Sequence, residues 1–191
     1  MHKGRLEAFS DGVFAIIITI MVLELKAPHE ATFAALAALG SKFSSYLLSF
    51  VFVGIYWNNH HHLLQATRHV DGRALWANMH LLFWLSLVPF VTDFMGENHF
   101  APLAVALYAA VLLVSGGAYW LLAQALISTN GADSPLAVAL GKDRKGFISM
   151  GCYVAAVALA WVSVWVSGAL LIFVALMWLV PDPRIEKTLG R

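Results

Sequence analysis

Long apolar runs separated by short polar clusters dominate this chain. The first run covers residues 6–25, the second 39–57, the third 74–95 and the fourth 101–127. The second continues as a polar helical extension through residues 58–64. Residues 147–180 form one further run of 34. A membrane-crossing helix needs roughly 20 mostly apolar residues, so that run is too long for a single crossing. Ser167-Gly168 lies within it, and glycine suits a turn. The run therefore divides into spans 147–166 and 169–180, with Pro181 and Pro183 ending the last helix. The pattern predicts an all-α integral membrane protein with six transmembrane helices, forming a single domain over residues 1–191.

Composition strengthens this picture. Of 191 residues, 60% are hydrophobic and only 12% charged. Soluble domains run at about 45–50% apolar and about 25% charged. A water-soluble core of this size has no room for the excess, which must face lipid. The net charge of +1 favours no nucleic-acid partner. The lone Cys152 excludes a disulfide within the chain. Glu7 and Asp11 flank and enter the first run, and no small-residue cleavage site follows it, so no removable leader is expected.

Charge fixes an expected orientation. With six spans and a cytoplasmic amino terminus, the inner segments carry Lys3, Arg5, Arg68, Arg73, Lys142, Arg144, Lys145, Arg184, Lys187 and Arg191. Only Lys26 and Lys42 fall outside. Ten of the 12 basic residues then lie on one side, as the positive-inside rule requires. Both termini are expected in the cytoplasm of a multi-pass cell-membrane protein.

The chemistry lies mostly near the first span. Arg5, Ser10 and Asp11 sit at its start, where ionisable groups are costly and face protein or water rather than lipid. Arg5 and Asp11 are six residues apart and do not share a face, so each is expected to meet a neighbouring helix. An interfacial anchor near the positive end of the helix dipole is the plainer alternative. His60, His61 and His62 point about 100° apart on a helix and cannot all bind one metal ion. A polar helix end is the expected role for them. His80, inside the third span, needs a partner, with Asn58, Asn59 or Ser10 as candidates. Asp93 and Glu97 are expected at the outer mouth. Val53-Gly54-Ile55-Tyr56 lacks the threonine and second glycine of a carbonyl selectivity filter.

The string Arg5-Leu6-Glu7-Ala8-Phe9-Ser10-Asp11 has the form R-x-x-x-F-S-D on the first of six helices. It resembles the signature of the transmembrane protein 175 family of endolysosomal-type potassium channels, in its single-repeat prokaryotic form. Similarity continues through Gly12 to Ile16, Leu23 to Lys26, Tyr56 to His60 and Leu82 to Phe90. The resemblance implies an oligomeric pore lined by the first helix, without a T-V-G-Y-G filter. It implies a constriction of bulky aliphatic side chains five residues after the aspartate, here Ile16, with further rings at Ile20 and Leu23. It implies a selectivity role for Thr19, and a signature cluster of Arg5, Phe9, Ser10 and Asp11. With one signature per chain, it also implies a homotetramer. No cofactor or metal is implied beyond permeant potassium ions. Periodicity alone does not choose the Ile16 face, because the helix is apolar all round and Val13, Ile17 and Ile20 fit a face equally well.

The function expected is thus a potassium-selective or weakly selective monovalent cation channel, and not an enzyme. A secondary transporter is the alternative, and would need a midplane site built on broken helices or inverted repeats. Proton conduction through the same pore is a variant. An intramembrane enzyme would need converging catalytic groups, and His80 stands alone. Phosphate loops, nucleophile elbows and zinc-protease motifs are absent from the sequence.

Overall fold

The computed structural model describes residues 3–131, 133–140 and 143–179. Nine helices follow one another in these residues: α1 (Lys3–Leu23), α2 (Phe33–Ala37), α3 (Gly40–Gln65), α4 (Gly72–Ser86), α5 (Val88–Glu97), α6 (Pro102–Asn130), α7 (Pro135–Leu140), α8 (Arg144–Leu159) and α9 (Val164–Leu179). No strand occurs among them.

The long helices begin and end where local chemistry allows. Asp71 caps α4 by accepting from Ala74 N at 2.9 Å, which satisfies a free N–H and holds the Asp71 carboxyl below its ordinary range. Pro102 starts α6, where a missing N–H costs nothing. Gly131, at φ 93°, ends α6 in a left-handed conformation, with its N–H bonded to Ile127 O at 2.9 Å. The apolar run predicted as one span over 74–95 is interrupted at Leu87. Pro89 has no N–H for the carbonyl four residues back, and its ring crowds that turn. The helix tightens at Leu87 N to Trp84 O (3.2 Å) and resumes with Val91 N to Leu87 O (3.1 Å). At the end of α5, His99 and Phe100 adopt φ of 48° and 60°, and Phe100 N closes on Met95 O at 3.0 Å.

The last turn lies elsewhere than predicted. The chain reverses at residues 160–163, not at Ser167-Gly168. Val162 N and Ser163 N both bond Leu159 O, at 2.9 and 2.8 Å. Ser167 instead lies inside α9, buried, with its Oγ donating to Ala156 O at 2.8 Å across the hairpin. Ser163, immediately before α9, is a residue type suited to starting a helix. The earlier turn makes α8 and α9 equal in length at 16 residues each. Pro181 and Pro183 lie outside the described residues.

Helix α1 packs against α3, α4 and α5, while α6 packs against α4, α5, α8 and α9. Alanines 104, 106, 109, 118 and 123 are buried along α6 and let its neighbours approach closely. Gly96 plays that part between α5 and α3. A Cβ there would stand 2.7 Å from Ser45 Oγ and 2.9 Å from Lys42 Cα. Three stretches are long and apolar enough to cross a membrane among the described residues: Lys3–Leu23, Gly72–Glu97 and Pro102–Asn130. Helix α3 has 26 residues, and its last turns carry Asn58, Asn59 and His60 to His62.

Side-chain contacts show which helix ends share a side. Lys3 Nζ donates to Leu64 O (3.0 Å) and Thr67 O (3.2 Å), so the start of α1 lies beside the end of α3. Asn130 Oδ1 accepts from Arg68 N and His69 N at 3.0 and 2.9 Å, adding the end of α6. At the opposite side, Lys42 pairs with Glu97, joining the start of α3 to the end of α5.

Candidate pore helix and its polar anchor

Helix α1 has two different faces. Leu6, Ser10, Phe14, Ile17 and Met21 recur at spacings of four, four, three and four and are all buried. Around the helix from them, Ile16, Ile20 and Leu23 are exposed, at 59%, 41% and 69%. Thr19 is also exposed, and its Oγ1 donates to Ala15 O at 2.6 Å. That bond occupies the hydroxyl proton and leaves the oxygen lone pairs pointing away from the helix. Val13 is half-buried and Ile17 is buried, so the faces that periodicity left equivalent are distinct in the folded chain.

The buried face is held by hydrogen bonds at its amino-terminal half. Asn78 Nδ2 donates to Ser10 Oγ at 3.0 Å. Asn78 Oδ1 lies 2.7 Å from His60 Nε2. With Nδ2 committed to Ser10, Oδ1 must accept, so His60 carries its proton on Nε2. All three residues are buried, and the Phe14 ring lies 5.6 Å from the imidazole. One chain of bonds thereby ties α1, α4 and α3. Beside it, Trp57 Nε1 donates to Asp11 Oδ1 at 2.9 Å. Arg5 and Phe9 are exposed, and Arg5 has no hydrogen-bond or ion-pair partner among the described residues.

A second polar chain lies toward the other end. Thr92 Oγ1, Ser49 Oγ and Tyr108 OH succeed one another at 2.6 and 3.0 Å, linking α5, α3 and α6 next to Met21 Sδ. Glu97 near the predicted outer mouth is engaged by Lys42.

The interhelical contact expected of His80, Asn58 and Asn59 falls to other residues. His80 Nε2 accepts from Trp84 Nε1 at 2.9 Å, within its own helix. Asn59 Nδ2 donates to Ile55 O at 2.8 Å, also within its helix, while its backbone carbonyl accepts from Tyr119 OH at 3.2 Å. Asn58 is exposed. Asn78 lies two residues before His80, about 200° around the helix, and so faces inward where His80 does not. His60, expected at a polar helix end, is 1% exposed and belongs to the buried network. Its neighbour His61 stacks on Trp57 at the surface, with ring centroids 5.9 Å apart. Among the described residues, no three His, Cys, Asp or Glu side chains are placed to hold a metal ion.

A helix with one face locked by buried hydrogen bonds and the other lined by bare aliphatic side chains, inside an apolar bundle, defines an α-helical membrane protein with its first helix set apart. The comparisons give it a family. The chain belongs to the TMEM175 family, whose model, described as endosomal/lysosomal potassium channel TMEM175, matches residues 5–89. The chain is 50% identical over 189 residues to a potassium channel of Chryseobacterium sp. strain P1-3, spanning 99% of this chain and 98% of that one. The crystal structure of a lysosomal potassium-selective channel TMEM175 homolog from Chamaesiphon minutus superposes with a TM-score of 0.80 at 30% identity, covering 93% of this chain and 96% of that chain. The endosomal/lysosomal proton channel TMEM175 of Homo sapiens is 39% identical over 84 residues, 36% of this chain and 17% of that protein.

Proposed function

We propose that this chain is the subunit of a potassium channel of the cell membrane, in which α1 lines the pore. Four copies assemble around the axis. Each crosses the bilayer six times, through α1, α3, the kinked α4–α5 pair, α6, α8 and α9, with both termini in the cytoplasm. The observation that carries the reading is the contrast between the two faces of α1. Ser10 and Asp11 fix its rotation through Asn78 and Trp57, and that rotation turns Ile16, Ile20 and Leu23 away from the subunit core.

The physics suits a pore. Isoleucine is stiff at χ1, so a ring of Ile16 side chains makes a constriction of defined width. An apolar constriction restricts ions by losing its water. Thr19 lies one turn further, and its oxygen offers an ion a partial substitute for hydration. Helix-end placement also supports the orientation. Lys3, Arg68 and Arg73 gather at the side where α1 begins and α3 ends, and Lys42 lies at the other. A transporter would need polar groups at a helix break. The break at Leu87 is flanked by Val88, buried and apolar, and by Ser86, whose Oγ already donates to Phe83 O at 2.7 Å, so among the described residues no set of polar groups converges on it from other helices.

The test is flux from potassium-loaded liposomes containing the purified protein. The reading expects potassium efflux that exceeds sodium efflux under matched gradients. Liposomes no leakier than protein-free controls would reject it. Dissipation of a pH gradient at constant potassium would instead favour the proton variant, which the name of the human relative motivates.

A further inference from the structure

Two stripes on the outside of the subunit keep the register of a helix–helix seam. On α3, Leu47, Phe50, Gly54, Trp57 and His61 recur at intervals of three, four, three and four residues. All are exposed except Gly54, which is half-buried. On α4 and α5, Trp76, His80, Phe83 and Phe90 recur at four, three and seven, and all are exposed. A repeat of seven residues is the register in which helices pack in left-handed bundles. Lipid covers an apolar face in any register, so two seams that no helix of the chain fills point to a further helix on each.

The seams match each other in depth, shape and polarity. Trp57 bonds Asp11 and Asn78 bonds Ser10, so these residues of α3 and α4 stand at nearly one level of α1. Counting back along α3 and forward along α4 from there, Gly54 and Phe83 fall within about 2 Å of each other in depth. Gly54 is a gap between Phe50 and Trp57, and a Cβ there would meet nothing within 4 Å. Phe83 projects, at 57% exposure. His80 lies about 12 Å into the apolar stretch Gly72–Glu97. Its Nε2 accepts from Trp84 Nε1, so its proton is on Nδ1, which has no acceptor among the described residues. An N–H without a partner is costly in hydrocarbon. The exposed Asn58 side chain, within about 3 Å of the same depth, also has no hydrogen bond among the described residues. A donor and an acceptor left over at one depth on separate helices complement each other between copies.

We propose that adjacent copies meet through these seams, with Phe83 seated at the partner subunit's Gly54 and His80 Nδ1–H donating to Oδ1 of the partner's Asn58. Each chain offers one seam to either neighbour, so the contact is head-to-tail and closes as a ring. The inference rests on the reading that four copies assemble around α1. Native mass spectrometry of the detergent-purified protein tests it. The unmutated chain is expected at the mass of four chains. Gly54→Leu points into open space within its own subunit, so it is expected to keep its helical circular dichroism and fall to the mass of one chain. Gly151→Leu, equally open but on α8, is expected to stay at four. His80→Leu is expected to lower the four-chain fraction, because it leaves an amide unpaired. His80→Leu with Asn58→Leu is expected to restore it, because no polar group is then left over. Oxidation of Gly54→Cys with Phe83→Cys, in a Cys152→Ala background, is expected to give a covalent ladder up to four chains that neither single cysteine gives. A four-chain Gly54→Leu, or a dimer from Phe83→Cys alone, would overturn the seam contact and leave the α1 assembly standing. A double Leu variant more dissociated than His80→Leu would overturn the His80–Asn58 bond. An unmutated chain found only at the mass of one chain would instead overturn the assembly reading beneath the proposal.

Discussion

Helices α1 and α9 are both apolar nearly all round, and both leave large aliphatic or aromatic side chains bare. Ile16 and Leu23 do so on α1, and Trp165, Ile172 and Phe173 on α9. They differ in how they are held. Among the described residues, the side chains of α9 hydrogen-bond only to its neighbour in sequence, α8, through Ser167 to Ala156 O and Trp178 to Ser149. Helix α1 bonds to helices far along the chain, through Asp11 to Trp57 and Ser10 to Asn78. A bare apolar face is ordinary in a bilayer, where lipid covers it without cost. A bare face whose opposite side is locked in rotation by buried hydrogen bonds is a surface held in one orientation. Orientation is what a pore lining requires and a lipid contact does not.

The contrast is open to attack by mutation. The largest loss of stability is expected at Asn78. Asn78→Leu nearly conserves volume but leaves Ser10 and the His60 Nε2–H buried without partners, costing on the order of 3 kcal/mol. Thermal unfolding in detergent, followed by helical circular dichroism, checks this, and a change under 0.5 kcal/mol would show that α1 is not locked there. Gly96→Ala forces a Cβ against the Lys42 backbone, which has no rotamer by which to retreat. Overpacking of this kind costs about 2 kcal/mol, and the Lys42–Glu97 pair is expected to separate as α3 and α5 part. On α9, Ser167→Ala removes one interhelical bond and is expected to cost only about 0.6 kcal/mol. If Ser167→Ala proved as damaging as Asn78→Leu, the two helices would be held alike and the contrast would fail. Smallest in stability is Thr19→Val, expected to change it by under about 0.5 kcal/mol because the side chain is exposed. Its effect belongs to permeation. Discrimination of potassium over sodium is expected to fall, read from reversal potentials in mixed solutions, and unchanged potentials would place Thr19 away from the ions.

Much of this architecture was legible in the residues. The apolar runs at 6–25, 39–57 and 101–127 lie within α1, α3 and α6 or overrun them by only a few residues, because apolar length is the requirement of the bilayer itself. The turn at 160–163 was not legible. It contains Ala160, Trp161 and Val162, which read as apolar helix, and only Ser163 marks the restart of the chain. Ser167-Gly168 carried the stronger turn signal, yet Ser167 satisfies its hydroxyl on Ala156 O and stays helical. The polar partner of Ser10 was misplaced for a rotational reason. Asn78 and His80 both interrupt the same apolar stretch, and nothing in it states which one faces inward. The rotation of α1 was likewise hidden, since Ile16 and Ile17 are the same residue type. Ser10 was the one available signal, as a small polar residue in register with Leu6, Phe14 and Ile17.

The central claim is that Ile16, and not its neighbour, faces the ion path. Potassium efflux from liposomes carrying Ile16→Asn, Ile16→Phe or Ile17→Asn, matched for protein, tests it most directly. Polar amides at the constriction favour wetting, so Ile16→Asn is expected to raise efflux and weaken selectivity, and Ile16→Phe to block it. Ile17 points about 100° away and is 2% exposed within the subunit, so Ile17→Asn is expected to harm folding without raising flux per folded channel. Equal efflux from the unmutated chain, Ile16→Asn and Ile16→Phe, or a greater rise from Ile17→Asn, would contradict a pore lined by this face of α1.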